Sequence, residues 1–456
     1  MKLALVLAVL MAWPLAVLAQ DKAKPPQKGR SIFPYPYKME DLPNGLRLVT
    51  VPTSYPNLVA LYIVVGVGSR NEVEPGKSGY AHYFEHLMFR GSENYTSAQR
   101  DDLLKRAGAD ANAYTDDDLT VYHETFAKED LPQIIELEAD RFQRLRYNLS
   151  AYKTEALAVL GEYNKNSTNP FRKIFEALRE TAYQQHTYTH TTLGYLEDIK
   201  DFPNQYDYSL EFYRRYYRPE YTTIVIVGDV KPEDAHSLVQ KHFGPWKRGN
   251  YKPNIKTEPA QNGPRTAHID WPAATQPYLA VGFRGPAYSD DSKDKAALDL
   301  VAALTFGENS ELYQRLVLKE QKVDVLAPDF SNHVDPELFT VLARIKDEKE
   351  VDYVRSQILA TYRRAATETV AQAQLDATRS RLRYSAALTL NSSEAIAGAL
   401  APYIALRRSP ETLNKLYQLY DSLTPEDLRA AAARYFVDNN RTIVTLAAKK
   451  QVGSEE

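Results

Sequence analysis

The sequence contains no cysteine among its 456 residues. Disulfide bonds, thiolate metal sites and cysteine nucleophiles are therefore excluded. The sequence also lacks a large excess of charge of either sign. Its formal net charge is −3, and basic and acidic residues are interspersed, so nothing indicates nucleic-acid binding. The length is sufficient for two or three domains with sizeable cores.

Only one long hydrophobic run is present, and it lies at the start. The segment MKLALVLAVLMAWPLAVLAQ begins with Lys2, continues as an apolar run and reaches a small-residue cleavage pattern at Ala19. It predicts a signal peptide over residues 1–19, and a periplasmic or secreted mature chain with no stable membrane span. The alternative is an uncleaved anchor, because the run is almost long enough to cross a bilayer. Residues 20–35, rich in Lys, Pro and Gln, are predicted to be a flexible lead-in.

Two segments of the remaining chain recur at one spacing. The strand patterns around Leu119 and Leu338, and around Thr223 and Thr442, are each separated by 219 residues, which indicates a duplication. We therefore expect an α+β protein with two homologous α/β-sandwich halves, each a sheet covered by helices, in a clam-shell arrangement. The predicted boundaries are 36–245 for a metal-binding catalytic domain, 246–272 for a linker, and 273–450 for a homologous domain without metal.

The stretch GYAHYFEHLMFRG, residues 79–91, is a predicted helix that Ser78 would cap. His82 and His86 are four residues apart, so they project from one face and can bind one ion. Glu85 is offset on that face, where it can reach an attacking water. The order His-x-x-Glu-His is the signature of the inverted zinc peptidases. The alternative is a satisfied polar cluster in a core helix.

The corresponding helix of the second half, KAALDLVAALTFG at residues 295–307, has neither histidine nor glutamate. The trio therefore belongs to one half, as a site would. Glu155 and Glu162 offer further ligands, since they are seven residues apart on one face of a predicted helix. One of them can bind the metal while the other holds a histidine N–H. Otherwise they are surface glutamates.

With these motifs, the sequence resembles the pitrilysin or insulinase family of zinc metallopeptidases, in its two-domain processing-peptidase branch. The resemblance spans about residues 40–450 and rests on HYFEH, on NAYT at 112–115 and on EDLPQIIELEADR at 129–141. It implies one zinc ion, held by His82, His86 and Glu162; Glu162 follows His86 by 76 residues, which matches the family's spacing.

The resemblance also implies roles around the metal. Glu85 would be the general base, and Glu155 would orient a ligand. An extended peptide would add to the sheet edge at Asn112 and Ala113. The implied function is zinc-dependent hydrolysis of peptides, by a metalloendopeptidase.

One family feature is missing in the second half. Active members carry an Arg and a Tyr, seven residues apart, and here those positions fall on Val317 and Asp324. Arg315 is two residues out of register, and Lys322, seven residues after Arg315, is not a tyrosine. Either the enzyme is weakened, or a homologous partner subunit supplies the pair in a heterodimer, which we favour over a weakened enzyme; the partner is thus a homologous subunit or, in a homodimer, a second copy. Two alternatives remain: a non-catalytic binding or assembly subunit, and a mitochondrial presequence-processing subunit, against which the apolar leader argues.

Overall fold

A computed structural model describes residues 31–449 of the chain. The predicted signal peptide, its cleavage site and residues 20–30 of the lead-in lie outside the described residues. The end of the predicted lead-in is packed and not flexible. Ile32 and Phe33 are buried, and the Phe33 N–H donates to Asn414 Oδ1 at 3.0 Å. Two apolar side chains fix this stretch, although the average composition of the segment is polar.

The first half contains a six-stranded sheet with the order β1-β2-β6-β3-β5-β4. Its strands are β1 Lys38–Asp41, β2 Arg47–Pro52, β3 Leu58–Val65, β4 Asp110–Thr115, β5 Thr120–Ala127 and β6 Thr222–Gly228. Strands β2 and β6 are parallel, and the other neighbours are antiparallel. The central strands β3 and β6 are apolar almost throughout, as expected for strands covered on both faces. Strand β4 is at the edge.

The first half contains eight α-helices among the described residues. They are α1 Tyr80–Leu87, α2 Ser97–Arg106, α3 Leu131–Gln143, α4 Leu149–Ser167, α5 Pro170–Ala182, α6 Leu196–Asp201, α7 Tyr206–Tyr216 and α8 Pro232–Phe243. Helices α1 and α4 lie where the sequence predicts helices. Helix α1 packs against α4 and β4, which brings the two predicted motif regions together.

The second half contains a five-stranded sheet with the order β7-β11-β8-β10-β9. Its strands are β7 Arg265–Trp271, β8 Tyr278–Arg284, β9 Val323–Asp329, β10 Leu338–Ile345 and β11 Arg441–Ala448. Its helices are α9 Lys293–Thr305, α10 Glu311–Tyr313, which continues as a π-helical segment Gln314–Lys319, α11 Val351–Thr367, α12 Gln372–Thr389, α13 Ser393–Arg407, α14 Glu411–Ser422 and α15 Pro425–Tyr435. Without β1, the first sheet has this same order, which agrees with a duplication.

The predicted linker, residues 246–272, was too long at its end. Residues Arg265–Trp271 form β7, which pairs in parallel with β11. The prolines and glycines before residue 265 dominate the composition of this segment and hide the short alternating pattern RTAHIDW. Such alternation is typical of a strand at the edge of a sheet.

Each half lends a helix to the other. Ile174 and Leu178 of α5 pack on the second sheet, and Ile396 and Leu400 of α13 pack on the first. Both faces of each sheet are thus covered, one by helices of its own half and one by an exchanged helix. The predicted α+β fold with two sheet-and-helix halves is confirmed. Among the described residues, no helix is long and apolar enough to cross a membrane.

Candidate metal centre

Helix α1 is fixed by its apolar side chains. Tyr80, Tyr83, Phe84 and Leu87 have no measurable exposure and belong to the core of the first half. The polar residues of the helix lie on its remaining face, toward α4 and β4. A short helix with so much buried aromatic area holds its polar side chains in a defined position.

His82, His86 and Glu162 converge on one point. Each offers a ligand atom, and these atoms lie within 4.8 Å of one another; no other group of this kind occurs among residues 31–449. Glu162 Oε2 is 3.5 Å from His82 Nε2 and 3.7 Å from His86 Nε2. Two imidazoles and one carboxylate are a usual protein ligand set for a catalytic zinc.

The imidazole of His82 is in the form that binds a metal ion. Burial, together with the neighbouring His86, lowers the pKa of His82 to about 4, so its ring is neutral near pH 7 and keeps a lone pair. The Nδ1 atom of His82 is buried without a hydrogen-bond partner in the described part of the chain. Neutral imidazole is the form that binds zinc, and this donor set suits zinc among the common divalent ions.

Glu155 sits behind His86, on the side away from Glu162. Its Oε2 lies 3.3 Å from His86 Nδ1, its side chain is 4% exposed, and its other carboxylate oxygen pairs with Arg90. With the Nδ1 proton directed at Glu155, the Nε2 lone pair of His86 points toward Glu162. The two glutamates of α4 therefore have different surroundings: Glu155 is enclosed, and Glu162 is 40% exposed.

Glu85 is also buried, and it has a partner that the sequence did not suggest. The Thr115 hydroxyl donates to Glu85 Oε2 at 2.6 Å. Burial raises the pKa of Glu85, while the Thr115 hydrogen bond and the His86 charge oppose that rise. Thr115 is the last residue of NAYT and of β4, so only its place beside the predicted edge strand could have pointed to it.

The edge strand β4 has one neighbour, β5, and leaves its other edge free of strands. Asn112 pairs with His123, and Ala113 with Tyr122. The Ala113 N–H donates to Asn112 Oδ1 at 2.9 Å; Asn112 is exposed and Ala113 is half-buried. The hydrogen bond from Thr115 to Glu85 thus joins the end of β4 to helix α1.

The predicted cap of α1 is wrong. Ser78 does not cap the helix, because its hydroxyl donates to Asp198 at 2.5 Å. The N-cap is Gly79, with φ +81°, and no side chain caps it. A Cβ at Gly79 would lie 2.3 Å from the Leu193 carbonyl oxygen, so this close backbone crossing requires glycine. Sequence position alone could not show that Ser78 has a distant partner.

The second half has no comparable set of ligands within the residues described. Helix α9 packs against α12, as α1 packs against α4. A cavity of about 580 Å³ lies beside α9 and α12, and its lining includes Thr305, Gln374 and Arg381 where the first half has candidate metal ligands. Val317 packs against the core of this half, and Asp324 binds Arg344 at 2.9 Å. Neither side chain can replace the hydrogen-bond donors of the missing Arg and Tyr.

Two models of one peptidase family match the chain. The family model described as Insulinase (Peptidase family M16) matches residues 47–195, and the one described as Peptidase M16 inactive domain matches residues 205–382. The chain belongs to peptidase family M16.

Three similar proteins accompany these matches. The zinc protease PqqE of Helicobacter pylori is 29% identical over 415 residues, which are 89% of this chain and 91% of that protein. The crystal structure of a protease from Helicobacter pylori has a TM-score of 0.85 at 28% identity and covers 91% of this chain and 99% of its own. The first half of the periplasmic protease PqqL from Escherichia coli has a TM-score of 0.71 at 19% identity, covers 90% and 92%, and shows the fold alone.

Proposed function

We propose that the chain is a zinc-dependent metalloendopeptidase that hydrolyses peptides, and that it is the metal-bearing subunit of a heterodimer. The observation that carries the proposal is the convergence of His82, His86 and Glu162 beside a buried Glu85. A purely structural metal site has no need of a general base, whereas hydrolysis requires one. The relative PqqE is named a zinc protease, which supports the same activity here.

The proposed mechanism assigns a task to each group. His82, His86 and Glu162 would hold one zinc ion. When bound, zinc makes water more acidic and polarises the scissile carbonyl. Glu85 takes a proton from the attacking water, whose oxygen bonds to the carbonyl carbon, and delivers a proton to the leaving amine as the C–N bond breaks. Thr115 holds the Glu85 carboxylate toward this proton path.

The substrate would bind as an added strand. Strand β4 is at the sheet edge, and Asn112 and Ala113 lie on it two and three residues before Thr115. A peptide in extended conformation along this edge would make backbone hydrogen bonds and place its scissile bond beside Glu85. Backbone recognition is independent of side chains, so we expect broad acceptance of peptide sequences.

We infer the partner because the second half lacks an Arg and a Tyr at the expected positions. The Arg and Tyr positions hold Val317 and Asp324, and Asp324 is already paired with Arg344. A homodimer would lack the pair in both copies, so a homologous subunit carrying Arg and Tyr fits better. These groups would stabilise the charge that develops on the substrate carbonyl. The apolar leader favours a periplasmic or secreted location, and PqqL, which shares the fold, is a periplasmic protease.

The test compares the chain alone with the chain and its partner. The partner to try is a homologue from a neighbouring reading frame that has the Arg and Tyr and lacks the histidine motif. With a fluorogenic peptide, we expect hydrolysis to rise about 100-fold or more on mixing, the scale for loss of an oxyanion donor. Full activity of the lone chain would refute the heterodimer while leaving the peptidase intact.

A second candidate is a non-catalytic binding or assembly subunit. The missing Arg and Tyr support it, and so does the match of residues 205–382 to a model described as an inactive domain. The two candidates differ in the mixed assay. If no partner and no zinc loading produce hydrolysis that depends on Glu85, the binding subunit is the better account.

A further inference from the structure

A buried carboxylate lies at the beginning of the helix that carries the candidate site. The side chain of Glu72 has no exposed area. Its Oε2 accepts the Gly79 N–H at 2.7 Å, and its Oε1 accepts the Ala81 N–H at 2.6 Å. Both oxygens are therefore bound to the first backbone N–H groups of α1.

Within the part of the chain that the structure describes, Glu72 is the acceptor for the Gly79 and Ala81 N–H groups at the start of this helix. The first N–H groups of a helix have no partner within the helix. Gly79 has no side chain to cap them, and the Ser78 hydroxyl is bound to Asp198. A carboxylate also interacts favourably with the positive end of the helix dipole. The next residue after Ala81 is His82, so Glu72 acts one peptide unit from a candidate metal ligand.

The position of Glu72 is hard to explain as an ion pair. The nearest basic group is His190, whose Nδ1 is 3.6 Å from Glu72 Oε2. Burial lowers the pKa of His190 to about 4, and its Nδ1 lies 3.1 Å from the Thr191 carbonyl oxygen, to which it can donate. Burial raises the pKa of Glu72 well above its usual range, and the hydrogen bonds from the Ala81 and Gly79 N–H groups oppose that rise because they favour the charged carboxylate.

We propose that Glu72 is a positioning residue for the metal centre: it fixes the N-terminal end of α1 and thereby the place of His82. The inference rests on the proposed metal site and adds a residue to it that touches neither metal nor substrate. The backbone crossing of Gly79 and Gly194 supports the same function, because a Cβ on Gly194 would lie 2.4 Å from the Gly79 nitrogen. The helix start is thus held by the carboxylate on one side and by packed backbone on the other.

The test uses Glu72→Gln with a matched control in the same loop. Glutamine is isosteric, but its amide group can accept only one of the two N–H donors. Glu74→Gln is the control, since the Glu74 carboxylate binds Tyr208 at 3.0 Å and Arg215 at 2.5 Å and does not contact α1. For Glu72→Gln we expect zinc and cobalt dissociation constants to rise about 10-fold or more, as for other outer groups of metal sites.

Three further readouts separate positioning from general support. In the proposed heterodimer, kcat should fall with little change in KM, and the visible absorption spectrum of the cobalt-loaded chain should change. Amide hydrogen exchange over residues 80–87 should become faster in Glu72→Gln and stay unchanged in Glu74→Gln. This last readout needs no metal. A general loss of stability would change exchange across the whole first half and leave metal affinity of the folded chain unaltered.

The outcomes are distinguishable. Unchanged metal affinity and unchanged exchange over residues 80–87 in Glu72→Gln would overturn the proposal. If the wild-type chain binds no metal, the proposed function fails, and the exchange measurement alone decides about Glu72. If Glu72→Gln does not fold, Glu72→Asp takes its place; the shorter side chain cannot reach both N–H groups, so the same losses support the proposal and their absence overturns it.

Discussion

Glu85 and its two histidine neighbours share one helix face but have different surroundings. The carboxylate of Glu85 is bound by the Thr115 hydroxyl, while Glu162 faces both imidazoles. We therefore expect Glu85→Gln to keep its zinc and to lose hydrolysis by about 100- to 10,000-fold, the range for a general base. Elemental analysis and a peptide assay on the same sample check this. Hydrolysis at the wild-type rate would exclude Glu85 as the base.

The glutamates of α4 should differ in the same assay. Glu162→Gln removes a proposed ligand, and zinc should be lost at micromolar concentration. Glu155→Gln leaves the ligands in place but weakens the hold on His86 Nδ1, so zinc affinity should fall about 10- to 100-fold. Competition with a chelator of known affinity measures both. Equal affinities for the two variants would contradict the assignment of ligand and supporting partner.

At the scale of elements, β4 links substrate binding to the site. Ala113→Pro removes an N–H that donates to the Asn112 side chain, and proline is tolerated on an edge strand where the N–H does not donate to the neighbouring strand. We expect KM for peptides to rise about 10-fold, the loss of roughly one hydrogen bond, with zinc affinity unchanged. Ala113→Ser is the control and should match the wild type. An unchanged KM for Ala113→Pro would argue against strand addition at this edge.

Most elements could be predicted because their signals are local. The apolar runs of β3 and β6 and the helical pattern of α4 stand out in the sequence. The signals for β7 and for the α1 cap were missed, since prolines and glycines precede the β7 pattern and the partner of Ser78 lies 120 residues away. Glu72 and Thr115 were missed as well. Their functions depend on contacts that no spacing rule describes.

At the scale of the whole molecule, a buried polar junction joins the two halves beside β4. Asp118, in the turn between β4 and β5, accepts hydrogen bonds from the Tyr188 hydroxyl at 2.8 Å and the Val334 N–H at 3.0 Å, and it lies 3.2 Å from His333 Nδ1. The exchange of α5 and α13 adds apolar contact to this junction. The second half thus supports the turn from which the edge strand and Thr115 extend.

This junction predicts a dependence of stability on pH. Burial opposes the charged form of His333, but Asp118, with Glu337 and Asp117, raises its pKa to about 9. The ordinary pKa is near 6.5, so the stabilisation is complete below that pH and is lost as pH rises through 9. We expect His333→Gln to lower the unfolding free energy at pH 6 by on the order of 2 kcal/mol and to flatten the pH profile. Urea unfolding between pH 6 and 10 measures this.

The control for that profile is His268→Gln, because His268 is about half exposed on β7. It should leave the curve unchanged. A wild-type profile that stays flat between pH 6 and 10 would contradict a charged His333 at the junction. Sequence reasoning could not find this contact, since Asp118 and His333 are 215 residues apart and neither belongs to a motif.

The account depends most on one metal ion being held by His82, His86 and Glu162 and being required for hydrolysis. The most direct measurement is a zinc titration of the metal-free chain, in the presence of its partner, with peptide hydrolysis as the signal. We expect a linear rise that ends at one zinc per chain, and no rise for His82→Ala at the same concentrations. Hydrolysis by the metal-free chain, or an unchanged titration of His82→Ala, would contradict it.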